Sequence, residues 1–228
     1  MSWKELSPDV HHFEFEVPGP EQFSFTPGQF ISVGEPADGK QIVRPYSIAS
    51  PRGGNRFALC LNRVPDGPLS TFLFHLKPGD EVEIHEPVGS FTLRHPEHRA
   101  VFIATGTGIA PFRSMLLDHV PKIRPHVTLL FGVRHERGLL YHEEFERLAR
   151  RYPAFHFMPT ITRPSETWTG LTGRVQSHLD EALDLTTPEE IHAIDVYVCG
   201  LKEMVDDVRQ ELKRRGFGKK QIIYEKYD

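Results

Sequence analysis

The stretch AVFIATGTGIAPF, residues 100–112, decides the fold of the second half of the chain. AVFIA is typical of a buried parallel strand, TGTG of a tight turn, and IAPF of the start of a helix. Glycine lets backbone N–H groups approach an anion closely, and the start of a helix favours negative charge. The stretch therefore predicts a site for a dinucleotide phosphate; the alternative is a turn that uses glycine only for packing.

Further apolar runs follow this stretch and are separated by helical patterns. The runs are HVTLLFGV, FHFMPTIT, DVYVCG and IIYEKY, and the helical segments are APFRSMLLDHV, YHEEFERLARRYP, RVQSHLDEALD and KEMVDDVRQELKRRG. Such alternation is typical of a doubly wound parallel sheet, which binds ligands beyond the carboxyl ends of its strands. We predict an α/β domain of this kind for residues 98–228.

The first 97 residues follow a different pattern. Turn sequences such as TPGQ and VPDGP separate short apolar or alternating runs, which favour a small antiparallel barrel or sandwich. PLSTFLFHL, residues 68–76, predicts a short helix that begins at Ser70 or Thr71. We predict an antiparallel β-barrel domain for residues 1–97.

RPYSIAS, residues 44–50, is an unusual strand because it offers a guanidinium, a phenol and a hydroxyl within four residues. Arg44 can pair with a phosphate, Tyr46 can lie against a flat ring, and Ser47 can hydrogen-bond a ring nitrogen. PDGPLST, residues 65–71, supplies a second helix start that can hold a phosphate, unless its hydroxyls are ordinary helix caps. A flavin with a pyrophosphate tail needs these features together.

Composition excludes several classes of protein. The net charge is −4, and neither half is basic enough for nucleic acid to be the main partner. No apolar run approaches the roughly 18 residues that span a bilayer, and the N-terminus lacks a signal-peptide pattern, so we expect no membrane span and a cytoplasmic location. Two cysteines cannot form a four-cysteine metal centre, and the 13 histidines are scattered, with His95 and His98 in polar surroundings. We predict no metal site.

Five motifs occur in the order and spacing of the ferredoxin–NADP reductase family, which the chain resembles nearly from end to end. They are RPYS at 44–47, GPLST at 67–71, GTGIAP at 106–111, VCG at 198–200 and EKY at 225–227. The resemblance implies an FAD-binding antiparallel barrel followed by a domain for a nicotinamide nucleotide. The four-cysteine cluster domain and the haem domain of some relatives are missing from the sequence, so we expect a bare flavin module.

The resemblance also assigns cofactor contacts residue by residue. Arg44 would contact the FAD pyrophosphate, Tyr46 would pack on the flavin, and Ser47 would lie near its N5 atom. The FAD-binding positions are Arg44, Pro45, Tyr46, Ser47, Gly67, Pro68, Leu69, Ser70 and Thr71. The nicotinamide-nucleotide positions are Thr105, Gly106, Thr107, Gly108, Cys199 and Gly200, with Thr107 close to the nicotinamide.

Four residues are predicted to be catalytic on the same grounds: Ser47, Cys199, Glu225 and Tyr227. Cys199 would lie near the point of hydride transfer, unless it is only a buried core thiol. Tyr227 would stack over the flavin where the nicotinamide must bind, and Glu225 would assist electron or proton transfer. Asp228 departs from the family's ending because it follows the aromatic residue, and a solvated tail is the alternative.

The choice between NADPH and NADH depends on cations for the 2′-phosphate. Arg134, Arg163 and Arg174 follow successive strands, where that phosphate would lie. Tyr141 in LLYHEEF resembles the adenosine-binding segment of NADPH-using members, whereas Trp168 in ITRPSETWTG resembles NADH-using reductases. We predict NADP as the nucleotide, with NAD as the alternative.

The predicted function is an FAD-dependent reductase that takes a hydride from NAD(P)H and passes single electrons to a small protein such as ferredoxin or flavodoxin. Two alternatives are a reductase of free flavin and an NADH-using reductase component of an oxygenase system. GPLST and the EKY ending favour bound FAD over free flavin. An acidic ferredoxin would need a local basic patch, since the first 97 residues carry 8 Lys and Arg against 13 Asp and Glu.

Overall fold

The computed structural model describes residues 1–19, 21–34, 42–122 and 125–227, so Asp228 lies outside the described residues. Residue contacts divide the chain into two compact units. The first comprises Met1–Leu93 with Ala110–Asp118, and the second comprises Arg94–Ile109 with His119–Asp228. The domain boundary after residue 97 stays a prediction. Among the described residues, no helix has the length and apolar character needed to cross a membrane.

The strands of the first unit are antiparallel, as the sequence predicted. They are β1 (Ser2–Ser7), β2 (Val10–Glu16), β3 (Phe30–Gly34), β4 (Val43–Ser47), β5 (Arg56–Asn62) and β6 (Glu83–Ile84). One sheet has the order β1-β2-β5 and the other β4-β3-β6, and a bridge between Ile48 and Leu59 links them. The core between these strands contains Phe13, Ile31, Ile48, Leu59, Leu69 and Leu73.

Helix α1 (Pro68–His75) begins earlier than predicted, at Pro68 rather than at Ser70 or Thr71. Proline suits the first turn of a helix, because its fixed φ is helical and an N–H at that position would have no partner. Leu69, Ser70 and Leu73 are buried, so the helix packs one apolar side on the core of the first unit. The short predicted helix is therefore correct in kind and displaced at its start.

The strands of the second unit form one parallel sheet. They are β7 (Arg99–Thr105), β8 (Val127–Val133), β9 (Phe155–Ile161), β10 (Leu171–Thr172), β11 (Ile194–Leu201) and β12 (Ile222–Tyr227). Their spatial order is β10-β9-β8-β7-β11-β12. From β7 the chain adds strands on one side as far as β10 and then on the other side as β11 and β12, so the strand order reverses between β7 and β11. Doubly wound sheets bind ligands at the carboxyl ends of the strands on either side of such a reversal.

Helices alternate with these strands and confirm the predicted α/β class. They are α2 (Ile109–His119), α3 (His142–Arg151), α4 (Leu179–Leu183) and α5 (Lys202–Arg214). RVQSHLDEALD, which was predicted as one helix, is a 3-10 turn at Val175–His178 followed by α4. The segment is divided because His178, with φ −116° and ψ 15°, leaves the helical region.

Candidate functional site

Strand β4 carries the RPYS motif on the first unit. Arg44 and Tyr46 share one face of this strand, because alternate residues of a strand point the same way. Arg44 is exposed and donates to the carbonyl of Val43 at 2.9 Å. Burial raises the pKa of Tyr46, and the charge of Arg44 partly opposes the shift. A cation and an aromatic ring therefore lie together, while Ser47 is buried at the end of the strand.

The turn before α1 is closed by the hydroxyl of Ser70. Its Oγ accepts a hydrogen bond from the N–H of Val64 at 3.1 Å and donates to the carbonyl of Gly67 at 3.1 Å. Gly67 is needed here, since a Cβ would lie 2.9 Å from Ser70 Oγ and from Val64 Cβ. The Ser70 hydroxyl thus holds the turn, and the first-turn amides of Leu69 and Ser70 are the groups that the turn offers to a phosphate.

Side chains of residues 110–118 form hydrogen bonds with the loop that follows β4. No sequence motif predicted these contacts. The pairs are Arg113 with the Ala49 carbonyl (2.8 Å), Ser114 with the Ser50 carbonyl (2.6 Å), and Arg52 with both carboxylate oxygens of Asp118 (2.8 and 3.3 Å). Asp118 is only 6% exposed. Nearby, a Cβ on Gly28 would lie 2.0 Å from the Phe91 carbonyl oxygen and 2.3 Å from Met115 Cε, so this contact requires glycine.

At the reversal point of the second unit, the turn that follows β7 touches the backbone near the end of β11. A Cβ on Gly108 would lie 2.4 Å from the carbonyl oxygen of Cys199 and 2.9 Å from the Cα of Gly200. A Cβ on Gly200, whose φ is +151°, would lie 2.4 Å from Oγ1 of Thr105. The predicted nucleotide motif GTG and the VCG motif are therefore brought together by glycines that no other residue can replace without a shift.

The surroundings of the Thr105 hydroxyl indicate whether a ligand fits beside the turn that follows β7. Its Oγ1 is buried and makes no hydrogen bond to any residue that the structure describes. Leaving such a group unpaired costs about 1–3 kcal/mol. The adjoining Gly106 has φ +54° and no atom within 4 Å of a Cβ position, so the turn is open there. An unpaired hydroxyl beside an open glycine turn fits a polar ligand such as a nicotinamide nucleotide.

The predicted catalytic residues of the second unit lie together. Strands β11 and β12 pair in parallel, with Cys199 opposite Glu225 and Leu201 opposite Tyr227. Burial raises the pKa of the Cys199 thiol well above its usual value; the Glu225 charge adds to this, and a hydrogen bond with Tyr227 partly opposes it. Cys199 is therefore a neutral thiol at physiological pH rather than a nucleophilic thiolate.

The three predicted phosphate-binding arginines follow β8, β9 and β10 along the same edge of the sheet. Arg134, Arg163 and Arg174 are exposed, and the N–H of Arg163 donates to the carbonyl of Arg134 at 2.9 Å. Within the described ranges of the chain, none of these guanidinium groups is paired with a carboxylate. The sequence did not single out Glu136, which accepts a hydrogen bond from the N–H of Ser165 at 2.6 Å in the same loops.

The side chains of Tyr141 and Trp168, which were predicted to influence the choice of nucleotide, are largely occupied by contacts within the protein. Tyr141 caps α3 with φ +57° and is 8% exposed, so an adenosine contact through its ring face stays a prediction with little surface to support it. The Nε1 of Trp168 donates to the carbonyl of Leu171 at 2.9 Å, which fixes this ring over its own loop. The contribution of each residue to the choice between NADPH and NADH stays a prediction.

Comparisons with known proteins agree with this arrangement. Residues 1–93 match the family described as Oxidoreductase FAD-binding domain, and residues 102–210 match Oxidoreductase NAD-binding domain. Ferredoxin--NADP reductase B of Sorangium cellulosum is 38% identical, with 99% of this chain and 94% of that protein covered. The toluate 1,2-dioxygenase electron transfer component of Pseudomonas putida is 28% identical, with 98% and 65% covered, so this chain spans about two thirds of that relative.

A solved structure gives the same result. The ferredoxin NADP+ reductase of Neisseria gonorrhoeae, with bound FAD and NADP, is 26% identical and has a TM-score of 0.86, with 98% of this chain and 95% of that chain covered. The predicted fold, cofactors and enzyme class are confirmed. The chain belongs to the ferredoxin–NADP reductase family and is an FAD-binding flavoprotein that oxidises NAD(P)H.

Proposed function

We propose that the chain oxidises NADPH in preference to NADH and passes the electrons to a small redox protein, such as a ferredoxin or a flavodoxin, in the cytoplasm. The row of exposed arginines Arg134, Arg163 and Arg174 carries the preference for NADPH. They follow three neighbouring strands at the edge where a dinucleotide binds. Guanidinium groups bind phosphate bidentately, and these three have no carboxylate partner among the described residues.

In the first unit, our proposal gives each motif residue a separate task. Arg44 and the first amides of α1 hold the FAD pyrophosphate, Tyr46 packs on the flavin, and Ser47 donates to a ring nitrogen. Pro45, Gly67, Pro68 and Thr71 shape the backbone around them. When bound, FAD supplies hydride acceptance and one-electron transfer, while the protein supplies binding and orientation.

In the second unit, the residues at the reversal point bind the nicotinamide nucleotide. The Thr105 hydroxyl and the amides of the Gly106–Gly108 turn contact it, and Cys199 with Gly200 forms a tight backbone wall behind that turn. As a neutral thiol, Cys199 adds no charge near the nucleotide. Tyr227 and Glu225 complete the cluster, and the stacking of Tyr227 on the flavin is part of the proposal.

The preference for NADPH is tested with Arg163→Ala combined with Arg174→Ala. Charge-assisted hydrogen bonds contribute about 1.5–3 kcal/mol each, so kcat/KM for NADPH should fall at least about 100-fold. The same constant for NADH should change less than about threefold, because NADH has no 2′-phosphate to lose. Arg147→Ala, at an exposed arginine of α3, is the matched control. An equal fall with both nucleotides would contradict the assignment.

The electron acceptor is tested separately. The similarity to an oxygenase electron transfer component favours an oxygenase as a second candidate acceptor. We would reduce the enzyme with NADPH under anaerobic conditions and add ferredoxin, flavodoxin or an oxygenase terminal component. Reduction of ferredoxin or flavodoxin at the rate of turnover is the expected result. A colourless protein that only turns over added riboflavin would support the free flavin reductases instead.

A further inference from the structure

The loop that leads into β7 brings several metal-binding side chains together on the second unit. The N–H of His98 donates to the carbonyl of His95 at 3.0 Å, which closes a tight turn. Their rings are stacked 4.8 Å apart, with Glu97 between them in the sequence. Because β7 and β11 pair in parallel from their first residues, this turn lies beside Asp195 at the start of β11.

We propose that His95, Glu97 and His98 form a zinc-binding site, with Asp195 orienting the ring of His98 from behind. The ligand atoms of the first three lie within 4.8 Å of one another. His98 Nδ1 is 3.3 Å from Asp195 Oδ2, and His95 Nδ1 is 3.5 Å from Glu97 Oε1. Bonds of about 2.1 Å in a tetrahedral zinc site place neighbouring ligand atoms roughly 3.4 Å apart, so Nδ1 of His95 and Oε1 of Glu97 already have the separation that a shared ion needs.

The buried carboxylate of Asp195 is the second, independent indication. Asp195 is 3% exposed, and its Oδ2 makes no hydrogen bond of good geometry to a described residue. Nδ1 of His98 faces this oxygen across 3.3 Å, so the two side chains interact with each other. Histidine ligands of zinc commonly donate their other ring N–H to a carboxylate, which fixes the orientation of the ring. Asp195 therefore holds Nδ1 of His98 and leaves the other ring nitrogen for the metal, together with the exposed side chains of His95 and Glu97.

The donor set indicates which metal binds. Two imidazole nitrogens and one carboxylate oxygen suit zinc, with water as the fourth ligand, whereas magnesium and calcium prefer oxygen ligands alone. The site lies at the amino ends of β7 and β11. The Gly106–Gly108 turn follows the other end of the seven-residue β7, roughly 20 Å away at about 3.3 Å per residue. The zinc therefore fastens the loop to the sheet and takes no part in the oxidation of NAD(P)H.

The test is a titration of the FAD-loaded, full-length protein, free of any histidine tag, with zinc chloride in a calorimeter. One zinc ion should bind per chain, raise the melting temperature and leave NADPH turnover unchanged. His95→Ala and Glu97→Gln remove exposed ligands and should fold. Loss of an outer-sphere partner alone costs about 10–100-fold in metal affinity, so each variant should bind zinc at least about tenfold more weakly.

A second histidine pair provides the control. His126 and His156 are exposed and stacked 5.7 Å apart, without a neighbouring carboxylate among the described residues. His126→Ala combined with His156→Ala should leave zinc affinity unchanged. Equal affinity in wild type and His95→Ala, or a loss of affinity only in the control, would overturn the proposal. An unchanged melting temperature at saturating zinc would also overturn it, and His98 with Asp195 would then be an ordinary ion pair.

Discussion

The two glycine turns of the molecule, Val64–Thr71 in the first unit and Thr105–Gly108 in the second, start helices in different ways. Ser70 closes the first turn on itself, so its hydroxyl is already bonded and the first-turn amides are left for a ligand. The second turn leaves the buried hydroxyl of Thr105 unpaired. The hydrogen bonds of the first turn are formed before any ligand binds, which suits a cofactor that stays bound. The second turn gains a hydrogen bond when a ligand binds, which suits a nucleotide that exchanges.

The largest effect is expected where the second turn touches β11. In Gly108→Ala the new Cβ meets backbone atoms of Cys199 at 2.4 and 2.7 Å, so the turn itself must shift. A displacement of about 1 Å costs about 100-fold in rate, and kcat/KM for NADPH should fall by at least this factor. FAD content should stay that of wild type, as the FAD absorbance of the purified protein will show.

Gly138→Ala is the matched control for this substitution. Gly138 has no positive φ, and its Cβ would meet only Val133 side-chain atoms at 3.4 Å or more. This variant should keep NADPH turnover within about twofold of wild type, since ordinary van der Waals contacts cost little. If Gly108→Ala were equally active, the close approach of the two turns would have no role in binding the nucleotide.

The units also differ in the buried groups that titrate. Burial, with the charges of Arg113 and Lys4, lowers the pKa of His12 in the first unit from 6.5 to about 4. Between pH 6.5 and 4 the unfolded chain binds a proton at His12 and the folded chain does not. The folded chain is therefore at its full stability above pH 6.5 and loses stability as the pH falls toward 4. The loss amounts to about 3 kcal/mol. Urea unfolding at several pH values measures it, and His12→Gln should flatten the dependence; His126→Gln should not.

Cys199 gives the second unit the opposite dependence of stability on pH. Its pKa is raised by burial, so the folded chain keeps the thiol protonated while the unfolded chain ionises it above about pH 8.5. Stability should therefore fall as the pH rises beyond that value. A Cys199→Ala variant that retains the full alkaline loss would show that another group is responsible.

Removing the Ser70 hydroxyl should open the closed turn. Ser70→Ala leaves the N–H of Val64 without its acceptor, which costs about 1–3 kcal/mol. We expect a lower melting temperature and an FAD affinity weakened by about tenfold, measured as FAD released on dilution. The KM for NADPH should be unchanged in FAD-saturated enzyme. A fall in NADPH affinity with full FAD retention would reverse the assignment of the two turns.

The smallest effect is expected at Tyr227. If its ring competes with the nicotinamide, Tyr227→Ser should tighten binding of oxidised nucleotide several-fold, because aromatic stacking contributes about 0.5–1.5 kcal/mol. Tyr227→Phe keeps the ring and loses the hydrogen bond with Cys199, so it should bind like wild type. Stopped-flow binding measures both. Identical affinities in all three proteins would mean that the tail does not cover the flavin.

Hydrophobic patterning accounts for the parts of the fold that the sequence predicted. Every residue of β8 (VTLLFGV) is buried, so its continuous apolar run was sufficient. Strand β1 (SWKELS) was missed because it is an edge strand, and its first four residues are exposed. The helical start at Pro68 was missed because the hydroxyls of Ser70 and Thr71 resemble helix caps, whereas Ser70 is buried in the turn.

Sequence motifs likewise predict only part of the candidate site. RPYS, GPLST and GTG are contiguous, so their residues could be named from sequence alone. Arg52 and Asp118 are 66 residues apart, and no local pattern connects them. His98 and Asp195 meet only through the pairing of β7 with β11, which is a property of the sheet. Long-range pairs of this kind follow from topology and become visible only once the chain is folded.

The grouping of residues 110–118 with the first unit limits how this protein can be divided. A fragment cut after residue 93 would lose the helix whose Arg113, Ser114 and Asp118 hold the loop after β4. The complementary fragment would carry that helix with Met115 exposed to water instead of packed on Gly28. Neither half is a transplantable module, so a chimera that exchanges one domain with a relative must also exchange the residues that receive this helix.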